Sequence, residues 1–390
     1  MRDMQLEGRR VFVRVDFNVP ITGGRIADDT RIKSSLPTIE HVLARKPKVL
    51  LLASHLGRPK GKPNPEYSLA PVAKRLEELL GRPVVFAGDA VGDAVKKAVD
   101  QAGAGGVVLL ENLRFHAGEE KNDAAFAQQL GELADVYVND AFGAAHRAHA
   151  STEGIVRHVS ESGTGLLMEA ELKHLGAAIT NPARPFVAIL GGAKVSDKIE
   201  VIENLLDKVD ALLIGGAMAY TFFKAKGMPV GTSLVEDDRL DTARDVLARA
   251  AARPGLRFEL PVDHVVAPKL EAGAPSETIN VDDAAIGDRM GLDIGPRTIA
   301  TYANIIRGAK TVVWNGPMGV FEIDAFARGT MAVAEAVASV DGSTIIGGGD
   351  SIAAVTKAGV ADRITHISTG GGASLELLGG QLLPGVEALS

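Results

Sequence analysis

Ser343-Thr344-Ile345-Ile346-Gly347-Gly348-Gly349-Asp350-Ser351 is an apolar run that ends in three glycines, an acid and a hydroxyl. A short apolar run bounded by glycine reads as a buried strand. A strand that ends in glycine and feeds a helix presents backbone N–H groups at a helix N-terminus, a geometry that holds phosphate. Two more turns of this kind follow apolar runs in the same half: Leu190-Gly191-Gly192-Ala193-Lys194 and Ser368-Thr369-Gly370-Gly371-Gly372-Ala373-Ser374. One turn carries lysines and another an aspartate, so a polyphosphate and its divalent cation fit between them. This half is expected to bind a nucleotide.

Working outward, apolar strands alternate with amphipathic helices along the whole chain. The first half predicts strands at Arg10–Asp16, Lys48–His55, Val84–Ala87, Val107–Asn112 and Val136–Asp140, with helices at Ser34–Arg45, Leu69–Leu80 and Ala124–Leu133. The second half predicts strands at Phe186–Leu190, Ala211–Ile214, Phe258–Leu260, Thr311–Trp314, Ser343–Ile346 and His366–Ser368. Its helices are expected at Ser196–Lys208, Asp238–Ala252, Pro296–Gly308 and Gly329–Val340. Such alternation predicts a parallel sheet covered by helices, with ligands beyond the carboxyl ends of the strands. Here it occurs twice. The expected fold class is therefore α/β, with two doubly wound, Rossmann-like parallel-sheet domains joined by a hinge helix near Leu166–Ile179.

A chain of 390 residues is long for one core, which also favours two domains. There are no cysteines, which excludes disulfides, thiolate metal sites and a cysteine nucleophile. No N-terminal signal pattern is present and no apolar run reaches membrane-spanning length, so a soluble, cytoplasmic protein is expected. The net charge of -7 argues against nucleic acid as a partner. Its distribution is uneven. Residues 1–150 hold 21 Lys and Arg against 19 Asp and Glu, whereas residues 151–390 hold 21 against 30. The first half is the better host for an anionic small molecule.

In that half, Asp16 and Asn18 end the first strand, either as acceptors for a hydroxylated ligand or as a turn-forming pair. His55 and Arg58 end the second strand. Arg114 and Arg147 follow later strands, and Arg31 follows Asp28-Asp29-Thr30. Four arginines, each expected in a loop after a strand, form one basic cleft if those loops share a sheet face. His146 and His149 have no acidic or cysteine ligand at metal-site spacing. In the second half, Lys194 and Lys198 are four apart, a spacing that places both on one helix face. Asp350 reads as a carboxylate near Mg²⁺, as a helix N-cap, or as both. Glu322, in the loop after Trp314, is suited to ribose hydroxyls, and Gly215-Gly216 would let a flat base approach the backbone. A dinucleotide-dependent dehydrogenase is a rival, but no Gly-x-Gly-x-x-Gly follows the first strand.

The blocks Arg14–Pro20, Ser54–Pro59, Leu113–His116, Asp140–His149, Leu190–Lys198, Trp314–Glu322, Gly347–Ser351 and Ser368–Glu376 resemble the signature blocks of phosphoglycerate kinase, in order and across the chain. Ser351 stands where some members have threonine. The resemblance implies two lobes separated by a cleft that closes by hinge bending. Residues 1–168 with about 380–390 would form a triose lobe, and 169–379 a nucleotide lobe. It implies substrate contacts at Asp16, Phe17, Asn18, Arg31, His55, Leu56, Gly57, Arg58, Arg114 and Arg147. Nucleotide contacts would be Gly192, Lys194, Lys198, Gly215, Gly291, Asn315, Glu322, Gly347, Gly348, Gly349, Asp350 and Ser351. Arg31, Lys194, Gly348 and Gly371 would act in catalysis, and Asp350 on Mg²⁺ carried with ATP or ADP. The implied reaction is reversible phosphoryl transfer between 1,3-bisphosphoglycerate and MgADP, by a monomer without nucleic-acid or membrane partners.

Overall fold

A computed structural model describes residues 1–389. The chain divides into two compact units, Met1–Lys173 with the segment from Leu382 onward, and His174–Gln381. The division falls inside the helix Leu166–Thr180.

The first unit is built on six parallel strands. Across the sheet they run Val84–Phe86, Gly106–Leu109, Val49–Ala53, Arg10–Arg14, Val136–Asn139 and Glu161–Thr164. Alternation along the strands fills both faces. Val11, Val13, Leu50, Leu52 and Val138 pack on one side. Phe12, Leu51, Val108 and Tyr137 pack on the other. Burying each such side chain contributes ~1.5–3 kcal/mol. The central strands are therefore almost continuously apolar, which made them easy to locate. Glu161–Thr164 was not expected: it is a half-buried edge strand of polar and small residues, without an apolar run.

The second unit repeats the plan. Its parallel strands run Arg257–Glu259, Ala211–Ile214, Phe186–Leu190, Thr311–Asn315, Ser343–Gly347 and His366–Ile367. The order reverses between Phe186–Leu190 and Thr311–Asn315, whose carboxyl ends pair as Leu190 and Asn315. A crevice beyond this switch point is where such sheets take ligands.

Four expectations need correction. A three-stranded antiparallel sheet, Glu277–Asn280, Asp263–Ala267 and Met290–Ile294, adds to the parallel pair of sheets. The helix Met218–Ala225 was missed because Met218–Phe223 are all buried, which removes the polar stripe that marks a helix. Arg31 is not in a loop. Its helix spans Thr30–Ala44, begun where the Asp28 carboxylate accepts from Thr30 N–H at 2.8 Å. Lys194 and Lys198 share no helix face, since the helix begins only at Ile199.

Asp140 follows the strand Val136–Asn139 and starts the helix Leu166–Thr180. Its Oδ1 accepts from Leu167 N–H at 2.9 Å and Met168 N–H at 3.2 Å, while buried Oδ2 has no hydrogen bond. Burial pushes this carboxyl from its ordinary 3.8 up to about 7. Between those values the folded chain keeps a proton that the unfolded chain has released. The stability from this site is thus complete at the acid end and lost as pH rises through 7. Asp140→Asn is neutral at every pH and should flatten the decline in melting temperature between about pH 4 and 7. A decline as steep as in the wild type would show that Asp140 is not its source.

Candidate functional site

Chemistry-bearing residues gather at the carboxyl edge of each sheet, so each unit carries its own site. In the first unit, the chain leaves the strand Arg10–Arg14 through Asp16 and Asn18. Asp16 Oδ2 accepts from Arg31 Nη1 at 2.8 Å, and its Oδ1 accepts from Asn18 N–H at 3.1 Å. Asn18 Oδ1 accepts from Gly57 N–H at 2.9 Å. Phe17 N–H donates to Ser54 Oγ at 2.8 Å, and the Phe17 ring is fully buried. These bonds tie the first strand's exit to the Ser54–Arg58 loop. Gly57 has φ +60°, and a Cβ there would lie 2.3 Å from the Tyr67 ring, so only glycine fits.

His55 is the focus of the cluster. Burial first, then the fields of Arg14, Arg114, Arg31 and Arg147, hold its imidazole well below the ordinary range. His149 is pushed down to about 3 by burial and by Arg114, Arg14 and Arg147. The structure therefore brings Arg31, Arg114 and Arg147 to one place, where neighbouring histidines stay uncharged. Arg58 is exposed and makes no hydrogen bond or ion pair among the described residues. Arg147 donates to His146 at 3.2 Å but has no carboxylate partner among the described residues. Arg114 is buried, donates to Gly57 O at 2.9 Å and lies 3.5 Å from Glu120. The Leu56 backbone is clamped by the Asn112 amide at both N–H and C=O. Sequence reasoning missed Asn112 and Arg14, since a polar residue inside or just after a strand carries no local sign of what it holds.

In the second unit, a cavity of about 350 Å³ opens at the switch point. Its apolar end is lined by Tyr220, Phe223, Leu234, Leu270, Met290 and Leu292, and its polar end by Gly192, Gly216, Glu322 and Asp350. Gly291 also lines it, with Tyr220 hard against the Gly291 backbone: an added Cβ would meet the hydroxyl at 1.4 Å.

The glycine turns differ from one another in use. Those after Leu190 do not present bare N–H groups as expected. Gly191 N–H donates to Asn315 O at 3.0 Å and Gly192 N–H to Pro317 O at 2.9 Å. Their role is close approach. A Cβ on Gly191 would meet Pro317 O at 2.1 Å, and one on Gly216 would lie 2.5 Å from the Gly192 backbone. The other two turns do open helices. Gly348, at φ +92°, precedes the helix Gly349–Lys357, and Gly371, at φ +49°, precedes Gly372–Leu378. Neither has a capping side chain. Among the described residues, the N–H groups of Gly349, Asp350 and Ser351 make no backbone hydrogen bond outside the helix, whereas Ala373 N–H, in the turn after Gly371, already donates to Gly370 O at 3.0 Å. Ser351 Oγ is turned inward and accepts from Gly316 N–H at 2.6 Å.

Lys198 is buried against Asn315, bonded to its side chain and, at 3.3 Å, to its carbonyl. Burial pulls this amine down to about 8, opposed by Asp197 and Asp350. Lys194 is exposed. Asn315 Nδ2 is buried without a partner, and a Cβ on Gly348 would lie 3.0 Å from it. An unpartnered donor thus lies beside the glycine turn. Gly215, Gly347 and Gly349 do not line the cavity, and Gly349 is exposed.

The family model described as Phosphoglycerate kinase matches residues 1–381. The chain belongs to the phosphoglycerate kinase family. Phosphoglycerate kinases of Koribacter versatilis and Acidobacterium capsulatum are 59% and 60% identical, each over 100% of this chain and 98% of its own length. The solved phosphoglycerate kinase of Coxiella burnetii is 43% identical with a TM-score of 0.90, and that of Pyrococcus horikoshii 35% identical with 0.85. Both cover 100% of this chain and 98% of theirs. The function is phosphoglycerate kinase activity, a phosphotransferase reaction. No helix among the described residues is long and apolar enough to cross a membrane.

The glycine geometry can be tested directly. Gly216→Ala forces a side chain into a left-handed backbone and against Gly192, and should cost about 2–4 kcal/mol in urea unfolding. An added Cβ on Gly349 meets nothing within 4 Å. Gly349→Ala should therefore stay within about 1 kcal/mol of wild type. Equal losses in the two variants would contradict the close-approach account.

Proposed function

We propose that the first unit binds the three-carbon acid and the second the magnesium nucleotide, for reversible transfer from 1,3-bisphosphoglycerate to MgADP, giving 3-phosphoglycerate and MgATP. The observation that carries this reading is the convergence of Arg31, Arg114 and Arg147 on an uncharged His55. With Arg58 and Arg147 free of carboxylate partners among the described residues, that cluster has uncompensated charge for an anionic substrate.

In the direction of 3-phosphoglycerate phosphorylation the nucleophile is a carboxylate, already ionised at neutral pH, so no general base is required. The residues have two tasks, positioning and neutralising charge. Asp16 orients Arg31 toward the substrate by their 2.8 Å ion pair. Arg31 and Lys194 then cradle the transferring group. Lys198, Asn315 Nδ2 and the first-turn N–H groups after Gly348 and Gly371 receive phosphate oxygens. The apolar end of the cavity takes the base, with Glu322 suited to the ribose.

The donor set fits Mg²⁺ as a passenger of the nucleotide. Asp350 is exposed in the first turn of its helix, and the described residues hold no group of three or more His, Asp or Glu able to grip a metal. One protein carboxylate suits an ion held mainly by phosphate oxygens and water. When bound, Mg²⁺ supplies neutralisation of phosphate charge. The reading includes a monomeric, cytoplasmic enzyme whose domains are residues 1–168 with about 380–390, and 169–379.

A coupled assay with 3-phosphoglycerate and MgATP tests the proposal, and no turnover would end it. Arg31→Ala removes one donor aimed at developing charge, worth about 3–4 kcal/mol. It should lower kcat by about 10²- to 10³-fold while nucleotide affinity stays near wild type. Near-normal turnover would take Arg31 out of the mechanism. Because the two ligands belong to different units, hinge bending should be complete only with both bound. Small-angle scattering should then record its smallest radius of gyration in the ternary complex. Full compaction with nucleotide alone would contradict this.

A further inference from the structure

Behind the cationic cluster lies a fully buried chain of polar groups that substrate binding does not itself use. Glu119, in the short helix Ala117–Glu120, is completely buried. Its Oε1 accepts from Ser151 Oγ at 2.5 Å and its Oε2 from Ser151 N–H at 3.0 Å. Ser151 Oγ in turn accepts from Arg14 Nε at 2.8 Å. The Arg14 guanidinium is also completely buried, and its Nη2 lies 3.1 Å from His55 Nδ1. A guanidinium only donates, so His55 Nδ1 must accept and the ring proton must sit on Nε2. That Nε2 makes no hydrogen bond among the described residues.

Two buried charges joined through one hydroxyl are a poor way to fill a core. Apolar groups of the same volume are often as stable or more so. This arrangement instead ends on a donor without a partner, at the centre of the arginine cluster. The Glu119 backbone adds a second hold, accepting from Ala150 N–H at 2.9 Å and so fixing the loop that carries Arg147. The groups facing Glu119 are Arg14, Arg114 and His149, whose Nδ1 is 3.9 Å away. Burial pushes the Glu119 carboxyl up, opposed first by the Arg14 charge and then by its two hydrogen bonds from Ser151, so Glu119 is the buried acid that faces the cluster.

We propose that Glu119 is a positioning residue: through Ser151 it holds Arg14, and Arg14 fixes His55 in the tautomer that offers Nε2–H to the anionic substrate. The inference rests on the first unit being the triose site, a reading that His55→Ala tests separately. An unchanged KM for 3-phosphoglycerate in that variant would count against the triose site and leave the Glu119 linkage to its own readout.

That readout is the imidazole ¹⁵N spectrum of His55 in histidine-labelled protein, taken together with steady-state kinetics. Glu119→Gln keeps the side chain's shape but removes the acid, and Ser151→Ala removes the bridge. In both, KM for 3-phosphoglycerate should rise about tenfold or more, the loss of one charge-assisted hydrogen bond. KM for MgATP should stay within about twofold, and the single Nε2–H tautomer should give way to a mixture or to imidazolium. An unchanged His55 spectrum in both variants overturns the proposal, and so does an equal rise in both KM values. If neither variant folds, the wild-type titration decides. His55 should remain an uncharged Nε2–H tautomer from about pH 8 to 5. Protonation in that range, or a populated Nδ1–H form, overturns it.

Discussion

In both units the carboxyl edge of a parallel sheet is where the chain must turn within van der Waals distance of its neighbours, and the rest of the chemistry depends on how that crowding is met. The second unit meets it with glycine. The loops after Leu190, Ile214 and Asn315 pass so close that a Cβ on Gly191, Gly216 or Gly316 would lie under 3 Å from neighbouring backbone. Their N–H and C=O groups bond one another across the switch point. The result is a rigid rim, and the cavity stands on it.

The first unit meets the same crowding with polar side chains. Asn112, Asn18 and Ser54 each bond to the backbone of a neighbouring loop, which fixes the strand exits relative to one another. Arginines can then be concentrated where solvent is scarce. A buried guanidinium cannot shed its proton, whereas an imidazole beside it can. Burial and repulsion therefore leave the arginines charged and His55 and His149 neutral. The positive field is set by groups that do not titrate near neutrality, so the cluster keeps its charge over the physiological range.

Much of this is legible in the sequence. Phe186–Leu190 and Ala211–Ile214 run as the apolar pattern predicts, because a strand buried on both faces has nowhere to place a polar residue. The glycine turns after Ile346 and Ser368 carry their own signal, a backbone shape that other residues resist. Less could be read where a residue's partner lies far along the chain. Lys198 was expected beside Lys194 on one helix face, yet it is buried against Asn315, more than a hundred residues away. Arg14 fell inside an expected strand, and Glu119 and Ser151 carried no signal of their own.

The sequence by itself determined two α/β sheets, the edge of each that carries chemistry, and the family, since periodicity, glycine and motif order are local properties. Tertiary structure decided which glycine N–H groups remain free, which arginines lack a carboxylate and which ring nitrogen of His55 is protonated. Those are questions of which groups meet after folding, and of how much water is left between them. Desolvation and hydrogen-bond partnership arise between distant segments, so no stretch of chain carries them alone.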